Sequence, residues 1–341
     1  MRVLLRAPLL TNSGYGVHSR QVFEWLLENK NIELTVECLN WGNTPWLLDE
    51  NEPLVKEIMS RSVKIEKPYD VAFQLQLPDE WDPSLAKYNV GMSAFVETEK
   101  CSQKWLESCN KMDMIVVPST FTKNVVKRSG VLLKPIVVIP EWHNDSIGSG
   151  NLDSSTIDEI NNLPTKFNYM MIATLTSVEP ESDRKNLVRT IEWLFEKHKD
   201  DPDVGIILKT SLGRGSKKDE LETKSIIKVL VEKFRGDSKG PKLYLLHGNM
   251  SSKEVASIYA AQNVKCLVSA TRGEGYGLPL VDAAAAGMPV IATNWSGHLE
   301  FLSNYRFLPV DYEMTTIPKR KVDNRIFYEG YRWAEPDRDD F

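Results

Sequence analysis

Between Ser269 and Thr293 the chain sets two carboxylates, Glu274 and Asp282, around Gly275, Tyr276, Gly277, Leu278 and Pro279. A strand is expected over Lys265–Ser269 and a helix over Pro279–Ala286, so Glu274 falls in the loop at a strand's carboxyl end, where open α/β sheets bind ligands. Gly275 and Gly277 let a ligand approach the backbone, and Pro279 suits a helix's first turn, leaving neighbouring amides to face an anion. Such a loop suits phosphate. Asp282 lies 8 residues beyond Glu274, which puts both acids near one helix N-terminus, and a carboxylate can accept from two adjacent hydroxyls, as in a sugar diol. Complementing the helix dipole would also place acids here, but it accounts for neither glycine. Ala283–Ala286 reads as close helix–sheet packing, ended by Gly287 and Pro289.

The elements that must position these residues alternate along the whole chain. Strands are expected at Arg2–Ala7, Leu34–Leu39, Val71–Leu77, Asn89–Phe95, Met114–Val117 and Ile136–Ile139, with a helix over Val17–Glu28 and a helix cap at Ser119. From Pro140 to Pro164 the composition turns to Asn, Asp, Ser and Gly, marking a boundary. A second series follows: strands Asn168–Leu175, Val204–Thr210, Lys242–His247, Lys265–Ser269 and Pro289–Thr293, with helices Arg184–Lys199, Asp219–Phe234, Ser251–Gln262 and Pro279–Ala286. This is an α/β pattern of two Rossmann-like, doubly wound parallel-sheet domains, and 341 residues suit two domains of about 150 each. Apolar residues at 42% and charged residues at 26% exclude disordered, collagenous and coiled-coil classes. The net charge of −5 argues against a chain mainly neutralising nucleic acid or an anionic membrane, although local basic sites remain open. Cys38, Cys101, Cys109 and Cys266 form no C-x-x-C pair, so a reducing, cytoplasmic setting is expected. Arg6 and Pro8 break the first apolar run, and no stretch reaches the roughly 18 apolar residues of a membrane span.

The segment from Val268 to Glu300 resembles the signature of GT-B glycosyltransferases of family four, which carry Glu-x7-Glu in an E-G-x-G-L-P context; here the second acid is Asp282. Leu9–Arg20, with Gly14-Tyr15-Gly16, is similar to that family's glycine loop, Val116–Val131 and Ile136–Glu141 to the close of its acceptor domain, and Asp183–Val188 to its basic motif. The resemblance implies two domains facing a central cleft: an acceptor domain at 1–165, a nucleotide-sugar domain at 166–310, and a tail at 311–341 that crosses back or leaves that support missing. It assigns Glu274 to the donor sugar, Asp282 to the ribose, and Lys185 with a partner arginine to the diphosphate. Many members place that arginine where this chain has Ala173-Thr174-Leu175; Arg184 or Lys209 would substitute. The implied activity is retaining transfer of a hexose from a UDP- or GDP-sugar to a glycan or other hydroxyl acceptor.

Breaking a sugar–diphosphate bond develops negative charge that a metal or fixed cations and amides must meet. Asp201-Pro-Asp203 and Asp337-Arg-Asp339 read as solvated turns rather than metal sites, so no metal and no cofactor is expected. Gly14, Gly16 and Glu37 also fit a dinucleotide fingerprint whose third glycine is replaced by Ser19, which keeps a nicotinamide-dependent oxidoreductase open. A loop meeting donor or acceptor, or a plain turn, are the other readings of Gly14-Tyr15-Gly16. Glu97 follows a strand and suits either a catalytic group facing the cleft or a helix cap. His18, His247 and His298 fall where they could face the cleft, and Trp41, Trp46, Trp81 and Trp142 lie in loop-like segments suited to sugar stacking or packing. A nucleotide-sugar epimerase and a non-catalytic carbohydrate-binding protein complete the alternatives. Neither nucleic acid nor a membrane span is expected.

Overall fold

The computed structural model describes every residue from Met1 to Phe341. The chain divides into two compact units, Met1–Trp142 and His143–Phe341.

In the first unit the strands are β1 (Arg2–Ala7), β2 (Glu33–Cys38), β3 (Tyr69–Leu75), β4 (Ala86–Met92), β5 (Met114–Val117) and β6 (Ile136–Val138), interleaved with helices α1 (Gly14–Glu28), α2 (Pro53–Arg61), α3 (Gln103–Cys109) and α4 (Thr120–Ser129). They form one parallel six-stranded sheet in the order β2-β1-β3-β4-β5-β6. Helix α1 begins earlier than the sequence suggests. Ser13 caps it by accepting the Gly16 amide at 3.0 Å, so Gly14, Tyr15 and Gly16 form its first turn, not a glycine loop. Gly16 is required there, because an added Cβ would come within 2.0 Å of the Thr11 carbonyl oxygen. Glu37 stands opposite Arg6 in register, with Arg6 Nε 2.8 Å away. The carboxylate of the dinucleotide fingerprint is thus already engaged by its cross-strand neighbour.

The second unit contains α5 (Ser154–Asn161), β7 (Phe167–Ile172), α6 (Leu187–Lys197), β8 (Val204–Thr210), α7 (Lys217–Arg235), β9 (Lys242–His247), α8 (Ser252–Ala260), β10 (Val264–Ser269), α9 (Leu278–Ala285), β11 (Val290–Thr293), α10 (Leu299–Leu302) and β12 (Leu308–Val310). Its parallel sheet runs β12-β11-β10-β7-β8-β9. The sheet is covered on both faces, as successive residues of β8 show: Ile206 and Leu208 pack with α6 and α7, and Ile207 packs with α8 and α9. Residues 143–165, expected in the first domain, belong to this unit, where Ile160 of α5 joins the core beneath α8.

The tail forms no crossing helix. Strands β13 (Tyr312–Thr316) and β14 (Arg332–Pro336) pair as an antiparallel hairpin, with Trp333 fully buried beside Ile317 and Phe327. The hairpin belongs to the second unit.

Candidate functional site

Chain order in the second sheet reverses between β7 and β10, its central neighbours, and such a switch point opens a crevice outside the strands' carboxyl ends. The segment after β7 carries Arg184 and Lys185; the segment after β10 carries Glu274. Lys185 Nζ donates to both Glu274 oxygens, at 2.6 and 2.8 Å, and Arg184 Nη1 lies 3.6 Å from Glu274 Oε2. Thr271 Oγ1 donates to Glu274 Oε1 at 3.0 Å. Burial alone would raise the Glu274 carboxyl, but the charges of Lys185 and Arg184 override it and hold it at about 2. Glu274 is therefore an anion between two cations.

Each loop is fixed from below. Asp183, fully buried, accepts from Thr176 Oγ1, from the Lys185 amide and from the Leu187 amide that opens α6. Arg184 donates to the Gly273 carbonyl at 2.7 Å, tying the two loops together. Behind Glu274 runs a directed hydrogen-bond chain. The Glu274 amide donates to Ser296 Oγ at 2.9 Å, and Ser296 Oγ lies 3.3 Å from Nδ1 of buried His298. His298 Nε2 is 2.7 Å from the Thr293 carbonyl. Burial holds this imidazole below the ordinary histidine value. A neutral ring facing a carbonyl must carry its proton on Nε2, which leaves Nδ1 to accept from Ser296. His298, which the sequence allowed to face the cleft, is thus fully buried and supports the Glu274 loop.

Helix α9 opens directly after this loop. Gly277 precedes it with φ 104°, and Gly297 lies so close that an added Cβ would be 2.0 Å from the Gly275 carbonyl. Tyr276 is buried against Phe301, and Leu278 and Pro279 form the first turn, where the Pro279 carbonyl accepts from Tyr259. Asp282 lies one turn further on, and its Oδ1 accepts the Asn144 amide at 2.7 Å. Burial lifts Asp282 to about 6 despite that bond.

Of the two candidates for the partner cation, Arg184 joins Lys185 at Glu274. Lys209 instead donates to the Gly248 carbonyl beyond β9 at 2.6 Å, and its burial lowers its ammonium pKa. Sequence reasoning missed Arg272, Ser296 and Asp183. Arg272 is fully buried and gives its guanidinium protons to Glu335 of β14 and to the Pro180 and Asp183 carbonyls. An arginine inside a glycine-rich loop two residues before a candidate acid was the available signal.

Within the first unit, Tyr15 stacks on Trp41 with ring centroids 4.0 Å apart, and its hydroxyl meets Ser93 Oγ at 2.9 Å and the Ala94 amide at 3.1 Å. Burial raises its phenol, and Glu97 adds to the rise from nearby. His18 and Glu141 are both buried, 3.5 Å apart, and burial pushes His18 down to about 4. Trp46, half-buried, packs against the core, Trp81 packs beneath Gly91, and Trp142 is exposed. The first acid of each Asp-x-Asp pair caps its own turn: Asp201 accepts the Asp203 amide and Asp337 the Asp339 amide. No three His, Cys, Asp or Glu side chains gather as metal ligands.

Residues 241–315, which include Glu274, Asp282, Ser296 and His298, match the family described as Glycosyl transferases group 1. No curated protein sequence matches the chain. Among solved structures, sucrose-phosphate synthase from Thermosynechococcus elongatus aligns with TM-score 0.61 at 15% identity, covering 91% of this chain and 86% of its own. Anabaena HepE, in complex with UDP and glucose, aligns with TM-score 0.54 at 15% identity over 88% and 82%. The E. coli trehalose-6-phosphate protein bound with UDP-2-fluoro glucose aligns with TM-score 0.59 at 10% identity over 91% and 88%. The chain has the GT-B fold of glycosyltransferases, and its residues 241–315 are similar to the glycosyl transferases group 1 family.

Proposed function

We propose that the protein transfers a hexose from a nucleotide-diphosphate sugar to a glycan or other hydroxyl acceptor, with retained anomeric configuration and without a metal ion. The observation that carries this reading is the Glu274–Lys185 pair, at 2.6 Å, at the switch point and just ahead of the α9 N-terminus. Two cations on one carboxylate leave a net positive site, and the amides that open α9 face the same way electrostatically. In this reading Lys185 and Arg184 meet the charge that develops on the leaving diphosphate, as fixed donors in a partly dry site do. Glu274 accepts sugar hydroxyls and stabilises the positive charge that grows on the ring. Asp282 accepts from the ribose. A carboxylate held at about 2 is a poor general base, since an effective base has a pKa near the working pH. That favours retention over an inverting attack driven by Glu274. UDP in two fold neighbours makes UDP-glucose the first donor to try.

The test is thermal unfolding with UDP-glucose, GDP-mannose and NAD in EDTA, followed by proton NMR of the earliest product from an α-linked donor. A rise in melting temperature with a nucleotide sugar and an α-linked product are expected. Stabilisation by NAD alone, strict dependence on Mg²⁺ or Mn²⁺, or a β-linked product would each overturn part of the assignment.

A further inference from the structure

The chain is acidic overall, yet residues 100–134 hold seven Lys and Arg against two acids, a local charge of +5 inside a total of −5. At the end of this run the loop after α4 exposes two apolar side chains, Val131 at 68% and Leu133 at 77%. These side chains are presented, not merely left over. Asn110, at the end of α3, donates through Nδ2 to the Val131 carbonyl at 3.0 Å and accepts the Leu133 amide at 2.7 Å. Both side chains are thereby kept outward on a loop of fixed shape.

The contacts around the loop gather the cations about it. Lys127 and Arg128 occupy the last turn of α4, immediately before it. Lys100 adjoins Cys101, whose amide donates to Ser129 Oγ at 2.9 Å. Lys104 adjoins Gln103, whose side chain lies against Gly130, and Lys111 adjoins Asn110. All five of these cations are exposed. Cations in a helix's last turn are explained by its dipole, but the dipole accounts neither for Lys100, Lys104 and Lys111, on and beside α3, nor for a braced tip that exposes Val131 and Leu133.

We propose that this surface of the first unit docks on an anionic lipid membrane, the Val131–Leu133 tip entering the interface and the surrounding Lys and Arg meeting lipid phosphates. No helix of the chain is long and apolar enough to cross a membrane, so the association is peripheral. Two weak signals act together here, an apolar tip and a basic rim, which is the combination that stable peripheral binding needs. The inference does not depend on the transfer reaction, and it concerns only the first unit.

Vesicle sedimentation tests it, with phosphatidylcholine alone and with about 30% phosphatidylserine added. The wild type should partition onto the anionic vesicles only, and release as salt is raised to about 1 M. Lys127→Gln with Arg128→Gln should weaken partitioning about 20- to 30-fold, since each cation near an anionic surface contributes about fivefold. Val131→Ser with Leu133→Ser should weaken it at least about tenfold through lost apolar burial. Lys217→Gln with Lys218→Gln, on the second unit, should leave it unchanged. Absence of binding, equal binding to both vesicles, or binding indifferent to the four tip and rim substitutions would overturn the proposal. So would a wild type that ignores vesicles but binds polyglutamate through Lys127 and Arg128, which would assign the surface to an acidic polypeptide.

Discussion

Arg272, fully buried, sets two guanidinium nitrogens against the two carboxylate oxygens of Glu335, at 2.5 and 2.6 Å, while Nη1 donates to the Pro180 and Asp183 carbonyls. One side chain therefore joins three pieces: the loop carrying Glu274, the segment leading to Arg184 and Lys185, and the C-terminal hairpin. The hairpin, in a tail that the sequence left as either a crossing back or a missing support, braces these two loops.

Removing Glu335 leaves a buried guanidinium without its counter-charge. Breaking a fully buried pair costs about 3–5 kcal/mol. Glu335 is 36% exposed, so water replaces part of its contribution, and about 2 kcal/mol is expected for Glu335→Ala. Urea denaturation gives the cost, and turnover by the remaining folded enzyme should fall because both loops lose their common anchor. An unchanged midpoint would show that the pair contributes nothing.

Much of this arrangement was legible in the sequence, and the exceptions share a cause. Strands β1, β5, β8 and β9 fall at the residues expected, because parallel strands covered on both faces appear as continuous apolar runs. Glu274, Asp282 and Lys185 stood out as motif residues. That Lys185 grips Glu274 did not, since 89 residues separate them and no local pattern records the pairing. Arg272 was missed for the same reason: all its partners are distant in sequence. The α1 start was misread because two glycines suggest a loop, whereas Gly16 is there for the close approach of Thr11. Net charge concealed the basic surface around Val131, as an average must.

Acid stability should report the Lys185–Glu274 pair. The Glu274 carboxyl is held at about 2 against an ordinary 4.5. A depressed carboxyl contributes stability that is complete above its unfolded pKa and disappears as pH falls through its folded value. The window is therefore from about 4.5 down to about 2. Lys185→Met, which leaves Arg184 as the remaining cation, should lower stability by about 2 kcal/mol at neutral pH. The difference from wild type should shrink across that window as Glu274 becomes protonated. A difference constant from neutral pH to pH ~2 would mean that Lys185 acts by packing alone.

Asp282 should behave oppositely. Its folded value of about 6 exceeds the ordinary 3.8, so the folded state binds the proton more tightly. Its ionisation weakens folding as pH rises from about 4 to about 6, and Asp282→Asn should remove that slope from a stability–pH profile. Affinity for UDP-glucose should fall as pH drops below about 6, because a protonated acid loses acceptor capacity for ribose hydroxyls. UDP-glucose is the right probe, since its esterified diphosphate does not titrate there. Calorimetry over this range decides it, and a pH-independent Kd would remove Asp282 from the nucleotide site.

Glu274→Gln is the sharpest test of the site. The amide keeps the shape of the side chain and can still accept through its one oxygen, but it loses the negative charge and half of the acceptor capacity. Stabilisation of a sugar that becomes cationic only as its bond breaks is felt in the transition state, so kcat should fall by about 100-fold or more. Nucleotide affinity should move the other way or not at all. Lys185 now gives its ammonium to both Glu274 oxygens, and an incoming diphosphate must compete with them. With glutamine in place, that competition is weaker, and UDP should bind as tightly as to wild type or more tightly. Single-turnover rate and UDP Kd, measured side by side, separate the outcomes. Near-normal transfer would reduce Glu274 to an anchor for Lys185. Weaker UDP binding together with a lower melting temperature would mean that the ion pair holds the loops in place, and that its charge has no direct part in the reaction.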